Sequence, residues 1–420
     1  MFFSTLQAAR CPYTARYAPN IRCTDGRFRF FRSLAPATTA KTTALFASRC
    51  GHNHTNYRHP RRRGHCRRLS TESVVTAPAD WNALYPSPSA IDVSPLACSL
   101  RARVREYTSE NGRLKLIGVL ANEGSHRINS DLYSERIKHT FEEDGIDYEV
   151  WRYPELESRD NGSDKEQQAK IQWIKDRIHR INERTDIDGA LVFYPIYPFG
   201  PKGPYKNKLM GVYYKTQDDH IRDLLLPGKD VEGLCRNKWF KIRDSKQKNS
   251  PATYPCTALS VLKILEEYHM GRRNNQPNDC WKDQTICIIN RSEIMGRPLA
   301  VMLAKKGATV YSIDIDSILQ FRPDGKRLRR CNPATTSLES CTRESNVVVA
   351  GVPQASFRIP ISSIREGATI VNVAEVPNVC EATLFRERPD VRYIPQVGKV
   401  TVATLSLNLM NLKVNRPGSS

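Results

Sequence analysis

Apolar positions along this chain fall into two alternating kinds of run. Short runs rich in β-branched residues read as buried strands: Leu114–Ala121 (LKLIGVLA), Tyr148–Tyr153, Gly189–Tyr194, Thr285–Ile289 (TICII), Ala308–Ile313, Asn346–Ala350 and Ala368–Ala374. Between them lie segments whose apolar residues recur three and four apart, the spacing of one helical face. Asp131–Asp144 places Tyr133, Ile137 and Phe141 on one face, and Gly145 ends it. Glu166–Glu183 aligns Ile171, Ile174, Ile178 and Ile181, while His220–Leu226, Ala258–Tyr268 and Thr401–Leu412 give further helices, the last with Thr401 as its N-cap. The charged stretch Arg322–Arg343 reads as a loop. Alternating strands and helices predict an α/β fold with largely parallel sheets and sites at the carboxyl ends of the strands.

Two α/β domains linked by long helices account for the length. The folded body starts near Ile91, after the Pro- and Ser-rich Ala77–Ala90; the boundaries predicted are 91–255 and 256–400, with the helix 401–412 closing back on the first domain.

One stretch stands out. From Gln284 to Asp316 the order is strand, turn, helix, strand, acid. Pro298 suits a first helical turn, where its missing N–H is not needed, and Gly307 closes the helix. This is the plan of a dinucleotide-binding unit, with phosphates at the helix N-terminus and the acid on the ribose hydroxyls. Only Gly296 remains of the usual glycine fingerprint, so topology alone leaves open any βαβ unit of an α/β core. Asp314, 24 residues after Asn290, stands where a ribose-binding acid belongs, and Asp316 is the fallback.

Charge changes the picture only at one end. Of 64 Lys and Arg and 44 Asp and Glu, residues 1–71 hold 14 basic residues and a single acid, Asp25. The remainder carries 50 basic against 43 acidic residues, so the net +20 is no argument for nucleic-acid binding. Residues 1–71, rich in Arg, Ser, Thr and Ala, have the composition of a mitochondrial transit peptide; a disordered basic extension or an upstream mis-assigned start, with a cytosolic enzyme, is the alternative. No run in the sequence is long and apolar enough to span a membrane. Twelve cysteines show no paired framework, and Cys50, His52, His54, His65 and Cys66 match no zinc spacing, so no metal site is expected.

The string Asn290–Pro298 (NRSEIMGRP) resembles the cofactor loop G-R-S-x-x-V-G-x-P of the methylenetetrahydrofolate dehydrogenase/cyclohydrolase family, and its Asn290 and Glu293-Ile294 are most similar to the fungal NAD-dependent monofunctional branch. Further motifs follow in family order across roughly Ile91–Leu412. Tyr133 resembles the tyrosine of Y-x-x-x-K, Val192–Pro195 resembles V-Q-L-P, and Lys229–Gly233 (KDVEG) resembles K-D-V-D-G. Tyr254–Thr257 is similar to P-C-T, Gly351-Val352-Pro353 to the G-x-P loop beside the nicotinamide, and Tyr393–Thr401 to P-G-G-V-G-P-M-T, one residue shorter and with Lys399 in place of proline.

The resemblance implies a folate-binding first domain and a Rossmann-type NAD-binding second domain. It implies NAD-dependent oxidation of 5,10-methylenetetrahydrofolate to 5,10-methenyltetrahydrofolate, with NAD as cofactor, a tetrahydrofolate derivative as substrate and a homodimer as the assembly. It assigns Tyr133 and Glu232 to catalysis, and Tyr133, Phe193, Glu232, Val400 and Thr401 to substrate. It assigns Asn290, Arg291, Ser292, Gly296, Arg297, Asp314, Gly351, Val352 and Pro353 to the cofactor. Three positions depart from the family: Ile137 replaces the lysine one turn after Tyr133, Phe193 replaces glutamine, and Glu232 replaces aspartate. Ile137 cannot move a proton, so no cyclohydrolase activity is expected. A bifunctional NADP-dependent enzyme and a non-catalytic folate-binding relic stand as the alternatives.

Overall fold

The first group of strands builds a small parallel sheet in the order β2-β1-β3, with β1 at Leu114–Leu120, β2 at Ile146–Arg152 and β3 at Gly189–Val192. Leu116 is in register with Tyr148 on one side and Gly189 on the other. The computed structural model describes residues 90–154, 164–197, 205–206, 213–214, 216–235, 253–270, 281–322 and 328–416; the basic extension 1–71 lies outside the described residues. Helix α1 (Ser94–Asn111) precedes the sheet and buries Ala97, Leu100, Val104 and Thr108, a stripe at helical spacing on an otherwise polar segment. Helix α2 (Gly124–Glu143) begins ahead of the predicted Asp131 and ends before Gly145, whose φ of 74° is the left-handed conformation glycine adopts without strain. Helix α3 is Asp164–Glu183. A short antiparallel pair follows, β4 (Tyr205–Lys206) with β5 (Tyr213–Tyr214). Helix α4 spans Gln217–Arg222, earlier than the predicted His220–Leu226, because the Thr216 side chain accepts from Asp219 N–H at 3.1 Å and caps it there.

Helix α5 (Cys256–Ile264) continues as one π turn, Leu265–Met270, and leads to the second sheet. Its strands are β6 (Thr285–Ile289), β7 (Thr309–Asp314), β8 (Ser317–Phe321), β9 (Leu328–Arg330), β10 (Val347–Ala350), β11 (Thr369–Asn372) and β12 (Arg392–Ile394), in the order β12-β11-β10-β6-β7-β8-β9. The five from β12 to β7 are parallel; β8 and β9 extend the edge antiparallel. Helix α6 is Gly296–Lys305.

The stretch 322–343, expected as loop, therefore holds β9 and the start of helix α7 (Leu338–Glu344). All three β9 residues are exposed, so no apolar alternation marked the strand; backbone pairing to β8 makes it. Helix α7 is nucleated by reciprocal bonds between Ser337 and Ser340, at 3.2 and 2.9 Å. Helix α8 (Glu381–Glu387) lies between β11 and β12.

The closing helix α9 runs from Gly398 to Val414, not from Thr401. Thr401 is one turn inside it, and its hydroxyl bonds Val397 O at 3.1 Å instead of capping a helix end. Helix α9 packs on α1 and α5. One continuous apolar core includes Leu116, Ile137 and Phe141 from the first sheet and its helix, Val261 from α5, Ile286, Leu299 and Val349 from the second sheet region, and Leu405 and Leu409 from α9. The other face of β1 meets Ile174, Ile178 and Ile181 of α3. Among the described residues no helix is long and apolar enough to cross a membrane.

Candidate active site

In each parallel sheet the strand order reverses beside the first strand, between β1 and β3 and between β6 and β10. Crevices outside the carboxyl ends of strands at such reversals are where open α/β sheets bind ligands. Tyr133, Phe193 and Glu232 lie at the first of these places, and Asn290–Arg297, Asp314 and Gly351–Pro353 at the second.

At the second sheet, β6 ends in Asn290, whose φ is 94°. Asparagine is among the few non-glycine residues that tolerate this region, which explains how it fills the position where the family motif has glycine. Its Nδ2 donates to Gly351 O across to the end of β10, fixing the two loops together. Its Oδ1 is buried and has no hydrogen-bond partner among the described residues. Ser292 Oγ accepts from Met295 N–H at 3.1 Å and Gly296 N–H at 3.3 Å, while its carbonyl takes Arg297 N–H at 3.0 Å. Ser292 therefore ties down the turn that leads into α6 and keeps its own hydroxyl proton to donate. Gly296 is required by contact: a Cβ there would sit 2.0 Å from Asn290 O. Arg297 is held by Glu293 at 2.6 Å.

Arg291, predicted for the phosphates, is engaged with the strand that follows α6 and its hairpin partner. Its guanidinium bonds Ser312 Oγ (3.1 Å), Ser312 O (2.6 Å), Ser317 Oγ (3.0 Å) and Ser317 O (2.7 Å), gripping the β7–β8 hairpin that carries Asp314. Asp314 ends β7 and accepts Ile315 N–H at 2.9 Å. On the other flank, Asn378 pairs with both backbone groups of Val352, each at 2.9 Å, and Asn372 Oδ1 accepts Asn378 N–H at 3.1 Å. Asn372, the last residue of β11, and Asn378 shape the Gly351-Val352-Pro353 loop, and nothing local in the sequence marks either for that role. A dinucleotide fits these residues: the start of α6 is the positive end of a helix, and Asn290 Oδ1 is a buried acceptor in need of a donor.

At the first sheet, Tyr133 on α2 and Phe193 after β3 meet edge to face, with ring centroids 6.4 Å apart and planes at 80°. Both are buried. Ile137 is wholly buried in the core below them, and Lys138 is exposed, off that face. The loop bearing Glu232 is fixed from several sides. Ala190 N–H donates to Lys229 O at 2.7 Å, so residues 229–231 run beside β3. Asp230 accepts from Gly233 and Cys235 N–H, both at 2.9 Å. Asn408 of α9 donates to Val231 O at 2.9 Å and Tyr254 O at 2.8 Å.

Glu232 is buried, and burial pushes its carboxyl well above the usual range. Asp230 adds to the rise; Arg222 and a backbone hydrogen bond from Val192 oppose it. Burial likewise raises the Tyr133 phenol. Arg222 lies over the Tyr194 ring, 5.5 Å from its centroid. Asp218 accepts from Ile196 and Tyr197 N–H, both at 3.2 Å, and burial pushes it up to about 6. Arg222 and Asp218 join the site only through the fold; nothing in the sequence singles them out. Val400 and Thr401, predicted for substrate, are both buried in helix packing, Thr401 with its hydroxyl 3.1 Å from Ser260 Oγ. Among the described residues no group of three or more His, Cys, Asp or Glu side chains could hold a metal ion.

Residues 255–385 match the tetrahydrofolate dehydrogenase/cyclohydrolase NAD(P)-binding domain. The chain is 32% identical over 317 residues to the methylenetetrahydrofolate dehydrogenase [NAD(+)] of Schizosaccharomyces pombe, covering 72% of this chain and 87% of that protein. It is 29% identical over 335 residues to the Dictyostelium discoideum protein of the same name, covering 78% and 94%. The solved NAD-dependent 5,10-methylenetetrahydrofolate dehydrogenase of Saccharomyces cerevisiae superposes with a TM-score of 0.61 at 26% identity, over 78% of this chain and 98% of that one. With its two switch-point sites and these matches along most of its described length, the chain belongs to the tetrahydrofolate dehydrogenase/cyclohydrolase family.

Proposed function

We propose that this protein oxidises 5,10-methylenetetrahydrofolate to 5,10-methenyltetrahydrofolate with NAD and has no cyclohydrolase activity. The observation that carries the absence of cyclohydrolase activity is Ile137: it is wholly buried on the face of α2 that bears Tyr133, where the resemblance puts the family's proton-moving lysine. Oxidation needs no proton shuttle. The bridging carbon gives up hydride, and the cation left behind is shared by the two folate nitrogens. Bound NAD supplies the hydride acceptor. The protein sets the distance and angle between two bound molecules, a contribution that reaches several kcal/mol.

In this reading Glu232 takes the aminopyrimidine edge of the pterin, whose N–H groups favour an ionised carboxylate and offset its desolvation. The Tyr133–Phe193 pair gives the ring an aromatic wall. Ser292 donates to a cofactor phosphate at the start of α6, Asp314 accepts from the ribose hydroxyls, and Gly351-Val352-Pro353 lies along the nicotinamide. The test is steady-state turnover of the purified full chain with methylenetetrahydrofolate and either nucleotide. A carboxylate about 4 Å from a 2′-phosphate opposes it by about 4 kcal/mol at an effective dielectric of ~20, less where solvent reaches. NAD is therefore expected to be used at least about tenfold more efficiently than NADP; equal efficiency refutes the assignment of Asp314.

The assembly and the compartment belong to the same proposal. The family resemblance supports a homodimer, which sedimentation of the purified protein tests. The 14 basic residues against one acid in residues 1–71 support import into the mitochondrial matrix. Fractionation of cells with antibody to the body is the check, and a cytosolic protein lacking the extension overturns it.

A further inference from the structure

We propose that Arg291 is a positioning residue for cofactor choice: it holds the Asp314–Asp316 turn at the ribose by gripping both strands of the hairpin, instead of binding phosphate. This rests on the reading of the second sheet as an NAD site.

The geometry is specific. Asp314 and Ser317 are directly opposed in the β7–β8 register, and Ser312 lies two residues before Asp314 on the same strand. Arg291 therefore spans the strand end that carries the acid, with hydroxyl and carbonyl of Ser312 on one side and of Ser317 on the other. Arginine has five N–H donors. The four bonds use Nε–H, both Nη2 hydrogens and one Nη1 hydrogen, so no free pair of donors is left for a bidentate grip on phosphate. Ile315 is exposed at the tip of the turn, and Asp316 is held by Ser317 Oγ at 3.1 Å and, through its carbonyl, by Arg330 at 3.3 Å. A guanidinium flanked by Asp314 and Asp316 also tempers the charge of the acid without pairing it face to face.

The experiment is calorimetric titration of NAD and NADP into the purified full chain, without folate, for the parent protein, Arg291→Ala, Arg291→Lys and the double variant Ser312→Ala/Ser317→Ala. Lysine keeps the charge but has no planar fork, so it binds phosphate as a point charge yet cannot bridge the two strands. Arg291→Ala and Arg291→Lys are both expected to weaken NAD about five- to tenfold, with a smaller loss for NADP, so the preference narrows. The double serine variant, which removes two hydroxyls and leaves the arginine in place, is expected to weaken NAD about two- to fivefold in the same direction. It keeps the test open if the arginine variants fail to fold. A loss of NADP affinity as large as that of NAD in Arg291→Ala, parental NAD affinity in Arg291→Lys, or no change in the double variant overturns the proposal. NAD binding by the parent protein with no turnover once methylenetetrahydrofolate is added counts instead against the dehydrogenase reading. A parent that binds neither nucleotide sinks both.

Discussion

Gly296→Ala is the sharpest perturbation the structure offers. The added Cβ would lie 2.0 Å from Asn290 O and 3.0 Å from both Asn290 C and Arg291 Cα. Carbon and neighbouring heavy atoms rest at about 3.5–4.0 Å, so the Asn290 carbonyl and the start of α6 must separate by roughly 1.5 Å. Both partners are backbone, and both are fixed. Asn290 N–H bonds Ile313 O at 3.0 Å and its side chain is tied to Gly351, while the start of α6 is bonded to Ser292 Oγ and the helix is buried from Pro298 to Ala304. The movement therefore falls on the loop that would meet the cofactor phosphates.

Misplacement of a binding group by about 1 Å can lower catalysis ~10²-fold. The expected fall in kcat/KM for NAD is thus about 10²-fold, close to 2.7 kcal/mol of transition-state stabilisation. The assay is NADH formation from methylenetetrahydrofolate over a range of NAD, with circular dichroism and thermal unfolding on the same samples. Gly398→Ala is the control, since nothing lies within 4 Å of a Cβ there and the residue opens α9. It is expected to leave kcat/KM within about twofold and to raise stability by up to about 1 kcal/mol. A Gly296→Ala protein within threefold of the parent, with an unchanged unfolding temperature, refutes the contact argument.

Two further outcomes follow from buried groups. Asp218, raised to about 6 from 3.8 by burial, binds its proton more tightly folded than unfolded; its contribution is fully present below about pH 4 and is lost as pH rises through about 6. At ~1.36 kcal/mol per unit the loss approaches about 3 kcal/mol, so urea unfolding at pH 4.5 and 7.5 should show a smaller decline for Asp218→Asn than for the parent, and identical declines refute the assignment. Methenyltetrahydrofolate supplied to the enzyme should disappear at its spontaneous rate, because a positioned proton carrier gives about 10²–10⁴-fold and Ile137 provides none; acceleration abolished by Lys138→Ala would show that the exposed lysine curls back to the site.

What the sequence determined by itself was periodic or motif-borne. Thr285–Ile289 was legible as a strand to the residue, since a buried parallel strand is apolar throughout and needs no partner to be recognised. The Gly145 and Gly307 helix ends were legible because their left-handed φ values, 74° and 106°, are conformations glycine alone adopts freely. The string from Asn290 to Pro298 marked the turn between β6 and α6, since that turn is built from its own backbone. Strand β9 was not legible: its pairing lies in backbone atoms common to every residue, and its side chains face water. Nor was the engagement of Arg291, whose partners at Ser312 and Ser317 become neighbours only when β7 pairs with β6 and β8 folds back on β7. Asn408 reaches the Glu232 loop from the far end of the chain, and the Thr401 hydroxyl is consumed inside α9. A residue's chemistry is written locally, but which of its hydrogen bonds are already taken depends on groups brought near by the tertiary fold.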